Sequence, residues 1–200
     1  MCRFAYKQNR LTSSNFGAVL GAVRRNSTPS SLLKTLRGEY GSAGRSSAIQ
    51  WGVNHEDITL EKYSALGGCD VQPTGLFIMD NGQLGASPDG QVSKDLIVEV
   101  KCPWSARATP LIELAMKKDF FLFNDPTAAP GMLKLKETHK YWHQGQGALH
   151  ITGATAYDFF VWTPTEYHCI RIQKDPKWAS NIPILTQFHR KVLLPTVLGS

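Results

Sequence analysis

Three charged residues between positions 84 and 101 have types and a spacing that suit hydrolytic chemistry. Asp89 lies in a Ser-Pro-Asp-Gly turn, and Glu99 and Lys101 follow at the end of a short apolar run. A hairpin across Lys94-Asp95 can bring Asp89 beside Glu99. Two converging carboxylates form an oxygen-rich site for a hard divalent cation, and a neighbouring lysine can polarise a water molecule or a phosphate oxygen. This is the minimal apparatus for metal-assisted cleavage of a phosphodiester bond.

The run from Leu96 to Val100 predicts the strand that carries these side chains, because it is rich in β-branched residues and bounded by turn residues. Side chains alternate along a strand, so Glu99 and Lys101 share one face and Val98 and Val100 share the other. A solvated surface or a cross-strand ion pair is the alternative interpretation. The Pro-Asp turn before the strand favours the metal site.

A third carboxylate comes from a predicted long helix, from Ser46 to about Leu66. Glu56 lies on or beside its apolar stripe, where a charge is costly unless a cation compensates it. Glu56 is therefore a candidate ligand near the metal. The alternative is an exposed glutamate that pairs with Lys62 or His55. The stripe comprises Ile49, Val53 and Leu60.

A second long helix is predicted from Lys134 to Ile151, with Tyr141 and Gln144 on one face. These two side chains would point at the same edge as Glu99 and Lys101. Gln144 can orient a water, a metal-bound ligand or a phosphate, although glutamine is also ordinary on a helix surface. A basic edge adjoins this face. It comprises Lys134, Lys136, His139, Lys140 and His143.

The hydroxyl residues at positions 12–14 precede a helix that begins near Asn15. Plain N-capping is one interpretation of these residues. The other is an anion site, formed by Ser14 at the helix N-terminus together with Lys7 and Arg10.

The rest of the chain alternates strand and helix patterns, with a loop at 38–44. Helices are expected at Leu32–Leu36, Leu111–Lys118 and from Pro176 to about Leu194. Strands are expected at Cys69–Met79, Gln83–Ser87, Ala154–Trp162 and Tyr167–Gln173. The strands around Asp89 and Glu99 form a predicted meander of three, and a helix precedes it. This order predicts an α/β core.

Composition favours an ordinary globular protein. The chain has 200 residues, 42% hydrophobic and 19% charged, which suits one domain over residues 1–200. No apolar run reaches the roughly 18 residues of a membrane span, and the N-terminus lacks the apolar part of a secretory signal. We therefore expect an intracellular protein, without distinguishing nucleus from cytoplasm. A net charge of +6 favours a polyanionic partner.

The cysteines offer no metal motif. They are Cys2, Cys69, Cys102 and Cys169. Their spacing argues against a zinc site and for reduced thiols. Cys102, directly after the strand, is interpreted as a small buried hydrophobe.

Four segments, in this order, resemble the motifs of one known family. They are RLTSSNFG at residues 10–17, Trp51-Gly52 followed by Glu56, SPDG with LIVEVKCP between residues 87 and 103, and YWHQGQ at residues 141–146. The set resembles the PD-(D/E)XK nuclease core, and most closely its λ-exonuclease branch, also called the YqaJ-like viral recombinases. Members carry a further basic, Trp-containing segment upstream, most of which this sequence lacks.

The resemblance implies a restriction-endonuclease-like α/β fold, with a mixed central β-sheet flanked by helices. It implies a Mg²⁺-dependent deoxyribonuclease, with Mn²⁺ as a substitute ion, that degrades duplex DNA ends 5′→3′ in recombination or end resection. A single-strand annealing or recombination protein would be its partner, and a ring-shaped trimer its assembly. The implied metal-binding groups are Asp89, Glu99, the Val100 carbonyl and Glu56. The implied catalytic residues are Asp89, Glu99, Lys101 and Gln144, and Arg10, Ser14 and Tyr141 would contact DNA.

Three other functions are alternatives to an exonuclease. The same core serves DNA endonucleases, and the 5′-phosphate pocket separates the two. A catalytically inactive DNA-binding module is the second, although the set of Asp89, Glu99, Lys101 and Gln144 is intact. The third is a serine hydrolase, which is disfavoured because the sequence contains no G-x-S-x-G motif.

Overall fold

The computed structural model describes residues 10–39, 46–127, 129 and 131–198. The fold is mixed α/β, with helices flanking the sheets. The strands are β1 (Leu11–Thr12), β2 (Phe77–Ile78), β3 (Leu84–Ala86), β4 (Gly90–Ser93), β5 (Leu96–Lys101), β6 (Leu122–Asn124), β7 (Leu133–Leu135), β8 (Ala156–Trp162) and β9 (Tyr167–Gln173). The α-helices are α1 (Ser13–Arg24), α2 (Ser30–Leu36), α3 (Ser47–Gly67), α4 (Leu111–Ala115), α5 (Lys140–Thr152), α6 (Asn181–Phe188) and α7 (Leu194–Leu198).

The main sheet has four strands in the order β4-β5-β8-β9. Strand β5 pairs antiparallel with β4 and parallel with β8, and β8 pairs antiparallel with β9. This mixed sheet confirms the predicted fold class. Strand β5 lies inside the sheet, so the residues at its carboxyl end are held from both sides.

The two faces of this sheet pack against different helices, as the period-2 pattern of β5 predicts. Ile97, Tyr157 and Phe159 pack with Leu149 of α5 in one cluster. Val98, Val100 and Phe160 pack with Tyr63 of α3 in another. Glu99 and Lys101 therefore lie on the α5 side.

A third cluster joins α1 to the C-terminal segment, where Phe16 packs with Trp178 and Leu185. The sequence predicts one helix from Pro176 to about Leu194, but the segment is less regular. It contains a 3₁₀ turn (Pro176–Ser180), α6, a π-helical turn (His189–Leu193) and α7. Within the residues described, no helix is long and apolar enough to cross a membrane.

The predicted three-strand meander is wrong. Strand β3 pairs with β2 and β1 in a separate small sheet, and only Phe77–Ile78 of the predicted strand Cys69–Met79 is extended in a named strand. Pro88 lies between β3 and β4 and has no N–H to donate to a ladder. The chain therefore leaves one sheet before Pro88 and enters the other after it.

The predicted helix from Lys134 to Ile151 begins six residues later, at Lys140. Leu133 and Leu135 are buried on either side of exposed Lys134, and this alternation belongs to β7, which pairs with β6. His139 then caps α5 by accepting a hydrogen bond from the Tyr141 N–H at 3.2 Å. Helix α4 is likewise shorter than predicted.

The other predicted helices keep their places. Helix α3 matches the prediction, with Ser46 at its N-cap and Gly68 ending it at a φ of 57°. Helix α1 begins at Ser13, two residues before the predicted start, and α2 confirms the short helix. Most of the predicted loop at 38–44 lies outside the described residues.

A buried carboxylate ties α3 to the sheet. Asp158 of β8 accepts hydrogen bonds from Tyr63 Oη at 2.6 Å and from Arg171 Nε and Nη2 at 2.8 Å each. Burial alone would raise the pKa of Asp158, but the bonds from Arg171 and Tyr63 lower it below its ordinary value. A carboxyl with a lowered pKa stabilises the fold above its unfolded-state pKa, and this stabilisation is lost as pH falls through the folded-state value.

We expect Arg171→Ala to lower the free energy of unfolding by about 1–2 kcal/mol at pH 7, a value discounted for the exposure of the guanidinium. The deficit relative to wild type should shrink at acid pH, below the lowered pKa of Asp158, where this carboxyl is protonated in both chains. Urea unfolding at both pH values checks this. Arg37→Ala, which breaks the exposed pair with Glu39, is the matched control and should change little. An equal deficit at both pH values would contradict the account.

Gly145 sets the distance between α5 and the sheet. A Cβ atom at this position would overlap Cζ and Oη of Tyr157, which is wholly buried. We expect Gly145→Ala to lower the free energy of unfolding by about 1–3 kcal/mol through overpacking. Gly52→Ala in α3 has nothing within 4 Å of the new Cβ and should be neutral or stabilising, since alanine favours helices. Thermal melts of both variants distinguish the loss of a tight helix–sheet contact from a general effect of replacing glycine by alanine.

Candidate active site

The β4–β5 hairpin brings Asp89 against the end of β5. The Asp89 N–H donates to the Val98 carbonyl at 3.2 Å, and Asp89 Oδ2 accepts from the Val100 N–H at 2.8 Å. The predicted hairpin across Lys94-Asp95 is therefore confirmed. One carboxylate oxygen of Asp89 is held by the backbone of the strand that carries Glu99.

Glu99 lies between a lysine and a glutamine. Its Oε1 accepts from Lys101 Nζ at 2.5 Å and from Gln144 Nε2 of α5. Lys101 Nζ lies 4.9 Å from the centroid of the Tyr141 ring. The structure thus brings together Glu99, Lys101, Gln144 and Tyr141, as the two sequence patterns predict. Their chemical roles stay predictions.

Burial and like charge dominate the electrostatics of Glu99. Burial, followed by the charge of Asp89, raises the pKa of Glu99 to about 7, with a smaller contribution from Glu56 and an opposing one from Lys101. Burial would lower the pKa of Lys101, but the charges of Glu99 and Asp89 raise it above its ordinary value. Lys101 is therefore a cation at neutral pH, and the three carboxylates carry a shared charge that a further cation would offset.

The residues fit a magnesium-like ion better than a transition metal. In the described segments, no three His, Cys, Asp or Glu side chains form a ready-made metal-binding group. The donors at the end of β5 are carboxylate oxygens and a backbone carbonyl, which together with water are the ligands that Mg²⁺ prefers. The mutual repulsion of Asp89 and Glu99 is the feature that such an ion would relieve.

A cleft of about 480 Å³ opens beside this strand end, between α3 and the start of α5. Glu56 lines it with Val100, Lys101 and Tyr141. The apolar stripe of α3 is divided between core and cleft. Leu60 packs against the cluster of Val98, Val100 and Phe160, whereas Ile49 and Val53 line the cleft and are 54% and 49% exposed.

Arg10 and Ser14 lie on either side of β1, and Ser14 is the second residue of α1. Arg10 directly precedes β1, which pairs with β3. The capping interpretation is wrong for the start of α1, because no side chain caps it; Thr12 Oγ1 instead lies 3.2 Å from Ser14 Oγ. Their DNA-binding role stays a prediction, and Lys7 lies outside the described residues.

The basic edge is smaller than predicted. Lys134 Nζ pairs with Asp125 at 2.5 Å, Lys136 Nζ donates to the Lys118 carbonyl at 2.9 Å, and buried His143 accepts from Trp178 Nε1 at 3.0 Å. Lys140 lines the cleft. Several of these residues therefore hold the fold together.

An aromatic wall that the sequence reasoning missed borders the cleft. Trp51 stacks on His55 with centroids 3.7 Å apart, His55 stacks on Trp162 at 5.7 Å, and Trp104 meets Trp51 edge-on at 5.6 Å. The guanidinium of Arg107 lies 3.1 Å from the Trp104 ring centroid. Trp51 and His55 one helical turn apart were the available signal.

Cys102 is buried, which confirms the interpretation as a small hydrophobe. Burial raises the pKa of its thiol. It is not only a hydrophobe, because its Sγ lies 2.9 Å from Oγ1 of wholly buried Thr59. Thr59 was another residue that the sequence reasoning missed.

The chain belongs to the YqaJ-like viral recombinase domain family, whose model matches residues 4–155. This confirms the resemblance drawn from the four motifs. No curated protein matches the chain in sequence.

Three solved structures of similar fold bear the name of exonucleases. LHK-Exo in complex with dAMP superposes with a TM-score of 0.69 and 23% identity, over 95% of this chain and 90% of that one. The alkaline exonuclease LHK-Exo from Laribacter hongkongensis gives 0.63 and 20%, over 99% and 98%. A phage-related exonuclease from Haemophilus somnus 129PT gives 0.65 and 13%, over 95% and 96%. At these identities the likeness shows the fold.

Two substitutions at Asp89 separate its charge from its hydrogen bond. Asp89→Asn keeps an oxygen for the Val100 N–H, whereas Asp89→Ala loses it. Both remove the charge beside Glu99, so we expect the pKa of Glu99 to fall below about 7 in both variants. Asp89→Ala should be less stable than Asp89→Asn by about 1 kcal/mol. Carboxyl ¹³C NMR titration in EDTA and urea unfolding measure the two effects. An unchanged Glu99 pKa would show that burial alone sets it.

Proposed function

We propose that this protein is a metal-dependent DNA exonuclease that degrades duplex ends in the 5′→3′ direction during recombination or end resection. Membership of the YqaJ-like viral recombinase family supports this proposal. The observation that carries it is the convergence of Asp89, Glu99, Lys101 and Gln144 at one strand end. A structural ion pair would need neither the second carboxylate nor the glutamine.

In this proposal Asp89, Glu99, the Val100 carbonyl and Glu56 hold Mg²⁺, for which Mn²⁺ can substitute. When bound, such an ion activates a water molecule and neutralises charge on the phosphate. The raised pKa of Glu99 follows from the same crowding of carboxylates that would attract the ion. The fold therefore keeps these carboxylates close at a cost that the ion offsets.

Lys101 supplies a fixed positive charge to the reacting phosphate. Its pKa lies above its ordinary value because of Glu99 and Asp89, so it acts as a cation that orients water and stabilises the transition state, and not as a general base. Gln144 holds Glu99 by its amide N–H and orients the nucleophile or the lysine.

Contacts with the DNA end come from outside this cluster. Tyr141 lies at the cleft beside Lys101, and Arg10 and Ser14 hold the end of the strand. A single-strand annealing or recombination protein would take the strand left behind, and a ring of identical chains would keep the enzyme on its substrate. The structural likeness to exonucleases favours end-directed cleavage over an endonuclease.

The decisive assay uses linear duplex DNA with a label at the 5′ or the 3′ end, with and without a 5′-phosphate. We expect Mg²⁺-dependent release of the 5′ label as mononucleotides, which EDTA abolishes. Lys101→Ala should reduce the rate by about 10³-fold, because a preorganised charge at the phosphate is lost.

Lys94→Ala, at the exposed tip of the same hairpin, is the matched control and should retain the wild-type rate. Cleavage of closed circular DNA would assign an endonuclease. Binding of DNA without cleavage under Mg²⁺ or Mn²⁺ would refute the catalytic proposal and leave a DNA-binding module.

A further inference from the structure

A buried polar contact joins helix α3 to the end of β5. Thr59 Oγ1 donates to the His55 carbonyl at 2.6 Å and lies 2.9 Å from Cys102 Sγ. The Thr59 hydroxyl proton is used by this carbonyl, so the single Cys102 S–H donates to Thr59 Oγ1 at 2.9 Å or to the same carbonyl at 3.6 Å. Thr59 is wholly buried and Cys102 is 9% exposed, so the three groups satisfy one another away from water.

Both sides of this contact adjoin residues of the proposed metal site. Cys102 directly follows Lys101, and His55 and Thr59 flank Glu56 within one turn of α3. The position of Glu56 over the strand end therefore depends on how closely this turn is held to Cys102. Glu56 and Val100 both line the cleft beside it.

Thr59 makes a buried hydrogen-bonded contact in this part of α3, next to Leu60, which packs against the cluster of Val98 and Val100. Thr59 and Tyr63 are the buried residues of this helix, and the Tyr63 bond to Asp158 lies one turn further from Glu56. The ring stack of Trp51, His55 and Trp162 supports the turn that ends at His55 by contacts between ring faces, which are less directional than a hydrogen bond. A hydrogen-bonded contact has a defined length and direction, so it fixes the register.

We infer that Thr59 and Cys102 are positioning residues, which hold Glu56 at the strand end and so set the affinity of the site for divalent metal. The inference rests on the proposed function. It gives Cys102, which follows Lys101, a role beyond the filling of space in the core. Alanine or valine would fill these positions with similar shape if packing were the whole role.

Mn²⁺ binding to the metal-free protein measures this directly, from the electron paramagnetic resonance signal of the free ion. We expect Cys102→Ala and Thr59→Val each to weaken Mn²⁺ binding by roughly 10-fold, the lower end for groups that orient metal ligands. Cys102→Ser keeps a donor and an acceptor and should bind within about twofold of wild type. In the DNA assay the Mg²⁺ concentration for half-maximal rate should rise in parallel, with a smaller change in the rate at saturating Mg²⁺.

The matched control is Thr152→Val. Thr152 makes the same kind of hydroxyl bond within a helix, to the Ala148 carbonyl at 2.8 Å, but lies at the far end of α5. It should bind Mn²⁺ like wild type. Melting temperatures in EDTA identify a variant that fails to fold, and the remaining variants of the pair then decide the outcome.

A double substitution tests whether the effect passes through Glu56. In a Glu56→Gln background, Cys102→Ala should weaken Mn²⁺ binding by less than about twofold further, because coupled residues are not additive. Two results would overturn the inference without affecting the proposed nuclease function. One is a double variant whose loss of Mn²⁺ affinity equals the product of the two single losses. The other is wild-type Mn²⁺ affinity in Cys102→Ala and Thr59→Val. Absence of Mn²⁺ binding and of cleavage in the wild type would overturn the proposed function along with the inference.

Discussion

The structure is organised around a buried carboxylate, Glu99, near the carboxyl end of β5, an inner strand of the main sheet. Desolvation of this group would cost several kcal/mol without compensation. Lys101 and Gln144 donate to one of its oxygens, yet Asp89 and Glu56 add negative charge nearby, and the pKa of Glu99 remains raised, to about 7. The protein thus compensates this charge only in part. A cation at the strand end is the natural complement.

A second buried carboxylate in the same sheet, Asp158, is fully compensated by its hydrogen-bond partners. Asp158 receives a bidentate pair of bonds from Arg171 and another from Tyr63, and its pKa is lowered. That network is satisfied in full and joins α3 to β8 and β9. A carboxylate that is fully paired supports the fold, whereas a crowded, incompletely paired one is a candidate for a functional site.

The helices on the two faces of the sheet bring the remaining groups to Glu99. Gly145 lets α5 lie directly on the Tyr157 ring, which places Gln144 within reach of the carboxylate. Buried Gln146 of the same helix donates to the Gln173 carbonyl at 2.9 Å and accepts from the Asp175 N–H at 2.8 Å, so it holds the chain after β9. On the other face, α3 presents Glu56 and an apolar wall to the cleft. The site is therefore made by three elements that are distant in sequence.

The sequence alone determined the strand with Glu99 and Lys101, the hairpin that returns Asp89, and the long helix with Glu56, because local periodicity and turn residues encode these features. The four motifs in order also identified the family, which the match over residues 4–155 confirms. Local pattern failed at Lys134–Leu135 and Cys69–Met79, where partner strands and Pro88 decided the structure. Only the tertiary structure decided that Ile49 and Val53 of α3 face a cleft and that Cys102 meets Thr59. Contacts between residues more than forty positions apart depend on helix–sheet packing, which no local pattern records.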